Sequence, residues 1–185
     1  MIASNDIRLR ASEPEDLELA YELENDTSLW ANGSTTVPLS HFTLKQFLES
    51  NSADLFADRQ VRLTIERRES DGEWKPVGFA DLFNFDPRNN RAEIGLAVLP
   101  QFRGQAVGEG AVRCLVEYAD VVGLHCIYAV ISEENEKASH TFERLGFTAS
   151  ARLCDWLWNG KSYVAACVWQ KIIFPCRGRL HESRP

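Results

Sequence analysis

The sequence contains no apolar run near the ~20 residues that a membrane-spanning helix needs; the longest, Tyr163 to Trp169, is only strand-sized. It has no Cys-x-x-Cys pair, and its cysteines (Cys114, Cys126, Cys154, Cys167 and Cys176) are odd in number. That pattern excludes a disulfide framework and a zinc site and fits reduced thiols used as core filler, with no metal expected. Basic charge is scarce: 20 Lys and Arg face 27 Asp and Glu, a net charge of −7. Such a balance argues against nucleic acid and anionic membranes as partners and mildly favours cationic ones. No repeat, no low-complexity linker and no Gly-Lys-Ser/Thr of a nucleotide-binding P-loop occurs. Met1 to Asp6 lack the basic start and apolar stretch of a secretory signal, so a cytoplasmic location is expected. What remains is 185 residues, 44% hydrophobic and 25% charged, enough for one domain with a real core. The domain is expected over 1–174, with a polar, mobile tail over 175–185.

Periodicity supplies the elements. Ile7 to Arg10 alternates like a half-buried strand, and Ser12 with Glu15 reads as a capping box that starts a helix near residue 13. Asn25 to Ser40 is turn-rich, and Thr43 to Ser50 has helical spacing. Strands are expected over Val61–Glu66, Pro76–Phe85 and Arg91–Leu99, the first two separated by the turn at Asp71-Gly72. Val107, Ala111, Leu115, Ala119 and Val122 then mark a long amphipathic helix ending near Gly123. A short buried strand, His125 to Ile131, precedes a helix from Asn135 to Leu145 that closes at Gly146. Asn159-Gly160 joins two strand-like runs into a hairpin. Strands and helices both alternate and cluster in this order, which predicts a mixed α/β domain, a mixed sheet covered by helices and not a doubly wound one.

Two segments carry chemical signals. Arg103-Gly-Gln-Ala-Val-Gly108 lies between a buried strand and the long helix. The first N–H groups of a helix lack internal partners and sit at its positive end, so the loop reads either as a pyrophosphate cradle or as a plain strand-to-helix turn. Ala106 is expected in helical backbone. Further on, Asn135, Ser139 and Phe142 share one face of a helix, which reads either as a functional face or as a cap and packed side chains.

Together, Glu93–Pro100, Arg103–Gly108 and Asn135 through Leu145-Gly-Phe147 resemble the acetyl-CoA-binding core of the GNAT N-acetyltransferases. The family loop usually reads Gln/Arg-x-x-Gly-x-Gly/Ala; Arg103 and Gly108 match its ends, and Ala106 replaces the middle glycine. The element order agrees from about Ile7 to Lys171. The resemblance implies a central twisted sheet splayed between the strands at Arg91–Leu99 and His125–Ile131, with the pantetheine arm of acetyl-CoA in the gap. Leu96 and Val98 would offer backbone groups to that arm. Arg103, Gly104, Gln105, Ala106, Val107 and Gly108 would hold the pyrophosphate, and Asn135, Ser139 and Phe142 would lie near the thioester end.

Acetyl transfer to a primary amine needs a base, an oxyanion donor and a departing thiolate. Glu93 matches a carboxylate often found on the family's strand there and is the candidate base, directly or through water; the alternative is a wet strand face or a pair with Arg91 or Arg88. The backbone N–H of Val98 is the candidate oxyanion donor. Many relatives carry a tyrosine acid where this chain has Phe142, which leaves the acid unassigned among Tyr128, His125, His140 and none, since a thiol of pKa near ~8.5 leaves unaided.

The acceptor wall implied by the resemblance holds Glu22, Glu24, Asp26, Trp30 and the Asn32–Ser40 loop, where carboxylates beside a ring suit a cationic amine. Arg8-Leu-Arg10 and Arg91-Ala-Glu93 are closest to the spermidine and diamine branch, although Asn25–Ser40 holds fewer acids than that branch usually has. The expected activity is therefore acetyl transfer from acetyl-CoA to a small polyamine. The alternatives are an α-amino acetyltransferase of the ribosomal-protein type, or a module that binds acyl-CoA without turnover. A homo-oligomer is implied, with the Trp156, Trp158 and Trp169 region as interface or core.

Overall fold

A computed structural model describes residues 2–4, 6–30 and 37–173; of Trp30 only the backbone is described. The expected loop around Asn32-Gly33, Cys176 and the tail over 175–185 lie outside the described residues.

Among the described residues, eight strands form one sheet: β1 (Ile2–Ser4), β2 (Ile7–Ala11), β3 (Val61–Arg68), β4 (Trp74–Asp86), β5 (Arg91–Val98), β6 (Cys126–Ser132), β7 (Thr148–Trp158) and β8 (Tyr163–Ile172). Their spatial order is β1-β2-β3-β4-β5-β6-β8-β7. Only β5 and β6 run parallel; every other neighbouring pair is antiparallel. The helices are α1 (Leu17–Glu24), α2 (Thr27–Trp30), α3 (His41–Ser50), α4 (Leu55–Asp58), α5 (Val107–Val122) and α6 (Glu136–Arg144). None is long and apolar enough to cross a membrane.

Side chains alternate across a strand, and this sorts the two faces. Ile7 and Leu9 of β2 face α5, which packs so closely there that a Cβ on Gly110 would lie 2.7 Å from Ile7. Arg8 and Arg10 face the other way. There Arg10 holds Asp16 through two hydrogen bonds of 2.7 Å, and Arg8 and Arg10 share Glu66. Thr64 donates to both Ser12 and Asp16. This face also receives α1, because Arg62 of β3 is held between Glu24 (2.6 Å) and Asp81 (2.8 Å), with the rings of Phe47 and Phe79 beside its guanidinium. A buried guanidinium persists only when paired and hydrogen-bonded, so these carboxylates are structural requirements of the packing.

Several local expectations shift. The capping interaction at the first helix belongs to Glu13, whose N–H donates to Asp16 at 2.9 Å, while Ser12 bonds into β3 instead. Pro14–Asp16 form a 3-10 turn, so α1 begins only at Leu17. Strand β1 and the single-turn helices α2 and α4 are too short to show a period. The cysteines are not all core filler: Cys114 and Cys126 are buried, but Cys154 is exposed. Trp169 packs against the core, whereas Trp156 and Trp158 are more than half exposed.

Candidate active site

The parallel seam is short. Strands β5 and β6 pair only at Arg91–Cys126, Ala92–Ile127 and Glu93–Tyr128, although β5 continues to Val98 and β6 to Ser132. Both strands stay paired on their outer sides, β5 with β4 and β6 with β8. The sheet therefore opens beyond Glu93 and Tyr128, as a splay. Hydrogen-bond parity tells which backbone groups look into it. Leu99 donates to Val77 of β4 at 2.9 Å, so in the antiparallel ladder the odd residues of β5 face β4. The backbone groups of Leu96 and Val98 then face the opening. The Val98 carbonyl is taken by Arg103 Nε at 2.8 Å, and its N–H points into the gap.

At the apex of the opening, the Glu93 carboxylate accepts from Asn84 Nδ2 at 2.9 Å and faces Tyr128. Asn84 lies within the register shift of β4 between Phe83 and Asp86, with left-handed φ of 50°. Arg91 turns instead to Asp86, at 3.4 Å. Burial, followed by the charge and hydrogen-bonding pull of Glu93, pushes the Tyr128 phenol above its usual value. Glu93 shares its face with Phe83, its register partner, and with Asp81, so it lies on the α1 side of the sheet.

The loop after β5 leads into α5. Gly104 has φ of 77°, a turn open to glycine at no steric cost. Ala106 corrects an expectation: it is not helical but left-handed (φ 59°, ψ 8°) and forms the N-cap of α5. The conformation is the one that the usual glycine adopts freely, and alanine holds it at a cost of about 1–2 kcal/mol. Its side chain offers no capping bond. The first helical bond runs from Gly110 N–H to the Ala106 carbonyl, so the amides of Val107, Gly108 and Glu109 have no acceptor inside the helix. Beside them Arg113 and Arg144 both bond Glu109, two cations on one carboxylate. A Cβ on Gly104 or Gly108 would meet nothing within 4 Å, so space is open over these amides. Amides without acceptors, a helix dipole and surplus positive charge suit a pyrophosphate. From Val98 to Glu93 the β5 edge spans about 17 Å, a track for a linear arm from this loop to the apex. The residues fit the cosubstrate that the sequence resemblance implies.

The remaining expected residues fall in three places. Asn135 caps α6, accepting from Ala138 N–H at 3.2 Å, and Ser139 is half-buried on the same helix. Phe142 is only 5% exposed and lies edge-on to Phe147, so its ring packs in the core beneath α6. Gln105 is held by Arg67 and by the Gln101 carbonyl. On the acceptor side, Glu22 is exposed and Glu24 belongs to the Arg62 cluster. Asp26 accepts from Ser28 and from Arg103 Nη2 at 3.1 Å, contacts that hold its carboxyl below the usual range. Arg103 thus ties the end of β5 to the α1–α2 connection. Sequence reasoning gave no role to Asn84, Asp81 or Arg62, whose partners are distant in the chain. Among the described residues, no His, Cys, Asp and Glu group could hold a metal.

A mixed sheet opened beside an anion-ready helix start defines a splayed-sheet acyltransferase. The sequence matches the Acetyltransferase (GNAT) domain over residues 6–148, and the chain therefore belongs to the GNAT family of acetyl-CoA-dependent N-acetyltransferases. It is 27% identical over 180 residues to the spermidine N(1)-acetyltransferase of Escherichia coli (strain K12), covering 92% of this chain and 89% of that relative. The crystal structure of spermidine N-acetyltransferase from Vibrio cholerae in complex with CoA and spermine superposes with a TM-score of 0.76 at 20% identity, over 92% of this chain and 97% of that one. A dodecameric structure of the same Vibrio enzyme gives 0.74 at 20% identity, over 91% and 95%.

Proposed function

We propose that the protein acetylates a primary amine of a small polyamine, with spermidine as the leading acceptor. The observation that carries this reading is the apex of the splay. There a carboxylate oriented by Asn84 stands at the end of a backbone track leading from a phosphate-ready helix start. The 27% identity to a spermidine acetyltransferase along nearly the whole chain supports the choice of amine.

Each step falls to a residue of this chain. The Arg103–Gly108 loop, through the free amides of Val107 and Gly108 at the start of α5, holds the pyrophosphate of acetyl-CoA, which when bound supplies the activated acetyl group. The edge of β5 aligns the arm through Leu96 and Val98. Glu93, on the α1 side, takes a proton from the incoming ammonium, a role typically contributing ~10²–10⁴-fold. The Val98 N–H is the donor aimed at developing oxyanion charge. On the acceptor wall, Glu24 and Asp81 both hold the Arg62 guanidinium, two carboxylates on the side from which a cationic substrate would approach. Glu22 and the Trp30 position complete that wall, while Asp26 contributes through Arg103.

We also propose a cytoplasmic location for the reaction, which the 27% identity to a bacterial spermidine acetyltransferase supports. Burial and Glu117 push Cys114 up to about 11, so that thiol stays protonated and inert. We also place a homo-oligomer contact on β7, which ends the sheet and carries Trp156 (57% exposed) and Trp158 (52%) beside Tyr163 (64%). Light scattering after gel filtration tests it; a monomer at all concentrations removes it.

Thiol release from acetyl-CoA, measured against spermidine, spermine, short diamines, N-terminal peptides and an aminoglycoside, tests the function. Saturable release with the polyamines is expected. Saturation by peptides alone would move the enzyme to the α-amino class, and tight acetyl-CoA binding without any release would make it a binding module.

A further inference from the structure

The GNAT reaction leaves one proton unaccounted for. The departing sulfur ends as a thiol, and the helix that carries a tyrosine in many relatives carries Phe142 here, its ring inside the core. His140 is exposed on α6, and His125 precedes β6 at the closed end of the seam, where its N–H bonds the Asn90 carbonyl. Three of the four tyrosines are engaged elsewhere: Tyr21 stacks on His41, Tyr163 meets Trp158, and Tyr118 lies on α5 near Asp54. Tyr128 alone stands at the apex, directly across the seam from Glu93 in the last paired position before the sheet opens.

The geometry points to Tyr128 and Glu93 as one proton-carrying unit, in which the phenol protonates the departing thiolate and the carboxylate restores the phenol. This rests on the acetyl-transfer reading above. Glu93 takes one proton from the ammonium, directly or through water, and the amine nitrogen bonds the acetyl carbon. The second N–H proton goes to solvent as the amide forms. Tyr128 gives its proton to sulfur as the C–S bond breaks, and protonated Glu93 returns a proton to the phenolate. One ammonium and one thioester become one amide, one thiol and one proton, and both residues end as they began.

The surroundings suit this circuit. The groups near the phenol are Glu93 and Arg91 from β5, Asn84 from β4 through its bond to Glu93, Cys126 from β6 and Gln170 from β8. Arg91 is drawn off by Asp86, and Gln170 bonds Cys126 Sγ, so the carboxylate is the dominant neighbour. Because burial and Glu93 raise the phenol, it remains protonated and able to donate at neutral pH.

The test pairs a spectroscopic readout with kinetics. Tyrosinate absorbance is titrated in the wild type, Tyr128→Phe and Glu93→Gln, and thiol release and acetyl-CoA affinity are measured for the same three. Expected are a late-titrating phenol that disappears in Tyr128→Phe and titrates earlier in Glu93→Gln, and a roughly hundredfold lower kcat in Tyr128→Phe at unchanged acetyl-CoA Kd. A late phenol unmoved by Glu93→Gln, a Tyr128→Phe kcat within about threefold of wild type, or a kcat loss matched by lost acetyl-CoA affinity would overturn the proposal. If the wild type releases no thiol with any amine, the acetyl-transfer reading fails separately, and the phenol titration still decides whether the two residues act together.

Discussion

The two sides of the splay are built differently. On the donor side, from β5 through the Arg103–Gly108 loop to the start of α5, the groups on offer are mainly backbone amides. On the acceptor side they are side chains, most already engaged: Glu24 and Asp81 with Arg62, Asp26 with Arg103, Asp16 with Arg10. A backbone site tolerates sequence change so long as the chain path survives. Alanine at 106 shows this, keeping the left-handed turn of the glycine it replaces. A side-chain site has no such tolerance, because removing one partner leaves a buried charge uncompensated.

The largest effect expected from this contrast is at the apex, where the two sides meet. Glu93→Gln should lower kcat by about 10²–10⁴-fold, measured by thiol release. The acetyl-CoA Kd should stay within about twofold by titration, because the carboxylate lies on the acceptor side. Comparable losses in kcat and in cosubstrate affinity would erase the distinction.

Next in size is the buried cluster. Asp16→Asn should cost about 3 kcal/mol of unfolding free energy, measured by urea denaturation at neutral pH. The pH dependence has a defined sign. Burial works to raise Asp16, but Arg10, the Glu13 N–H and Thr64 outweigh it and leave the carboxyl below its ordinary value. Its stabilisation is therefore complete above the unfolded pKa near ~4 and is lost as pH falls through the lower folded value. Wild-type stability should fall below about pH 4, and the part due to Asp16 should be missing from the variant.

Ala106→Gly should act in the other direction, stabilising by about 1 kcal/mol by relieving the left-handed alanine, with acetyl-CoA affinity unchanged or slightly tighter. A destabilised variant would mean that the gain in unfolded-chain entropy outweighs the strain. The smallest effect belongs to Glu22, which is exposed. Glu22→Gln should raise the KM for spermidine by about twofold, the scale of a screened surface charge, and high salt should remove the difference.

The same contrast explains what could be read from the sequence. The strands from Val61 onward, the long helix and the Asn135–Phe147 motif are local patterns, and the structure places them within a few residues of the expected bounds. The turn into α5 was legible because a glycine-bearing segment before a helix is a local feature. The conformation of Ala106 was not, since it depends on whether residue 106 is the cap or the first helical residue, a shift of one position. Arg62 meets Glu24 and Asp81 across 38 and 19 residues. Tyr128 meets Glu93 only through the parallel register. No local period reports such pairings, so the ion pairs of Glu24 and Asp26 with Arg62 and Arg103 are visible only in the fold.

The most direct measurement is calorimetric titration of acetyl-CoA into the wild type and Gly108→Trp. The indole would fill the open space above the first amides of α5, while the fold, the Arg62 cluster and Glu93 stay as they are. Saturable one-site binding to the wild type and at least a thirtyfold weaker Kd for Gly108→Trp are expected, with unfolding temperature preserved. Equal affinity in the two proteins would contradict this, because the cosubstrate would then be held somewhere other than the backbone cradle.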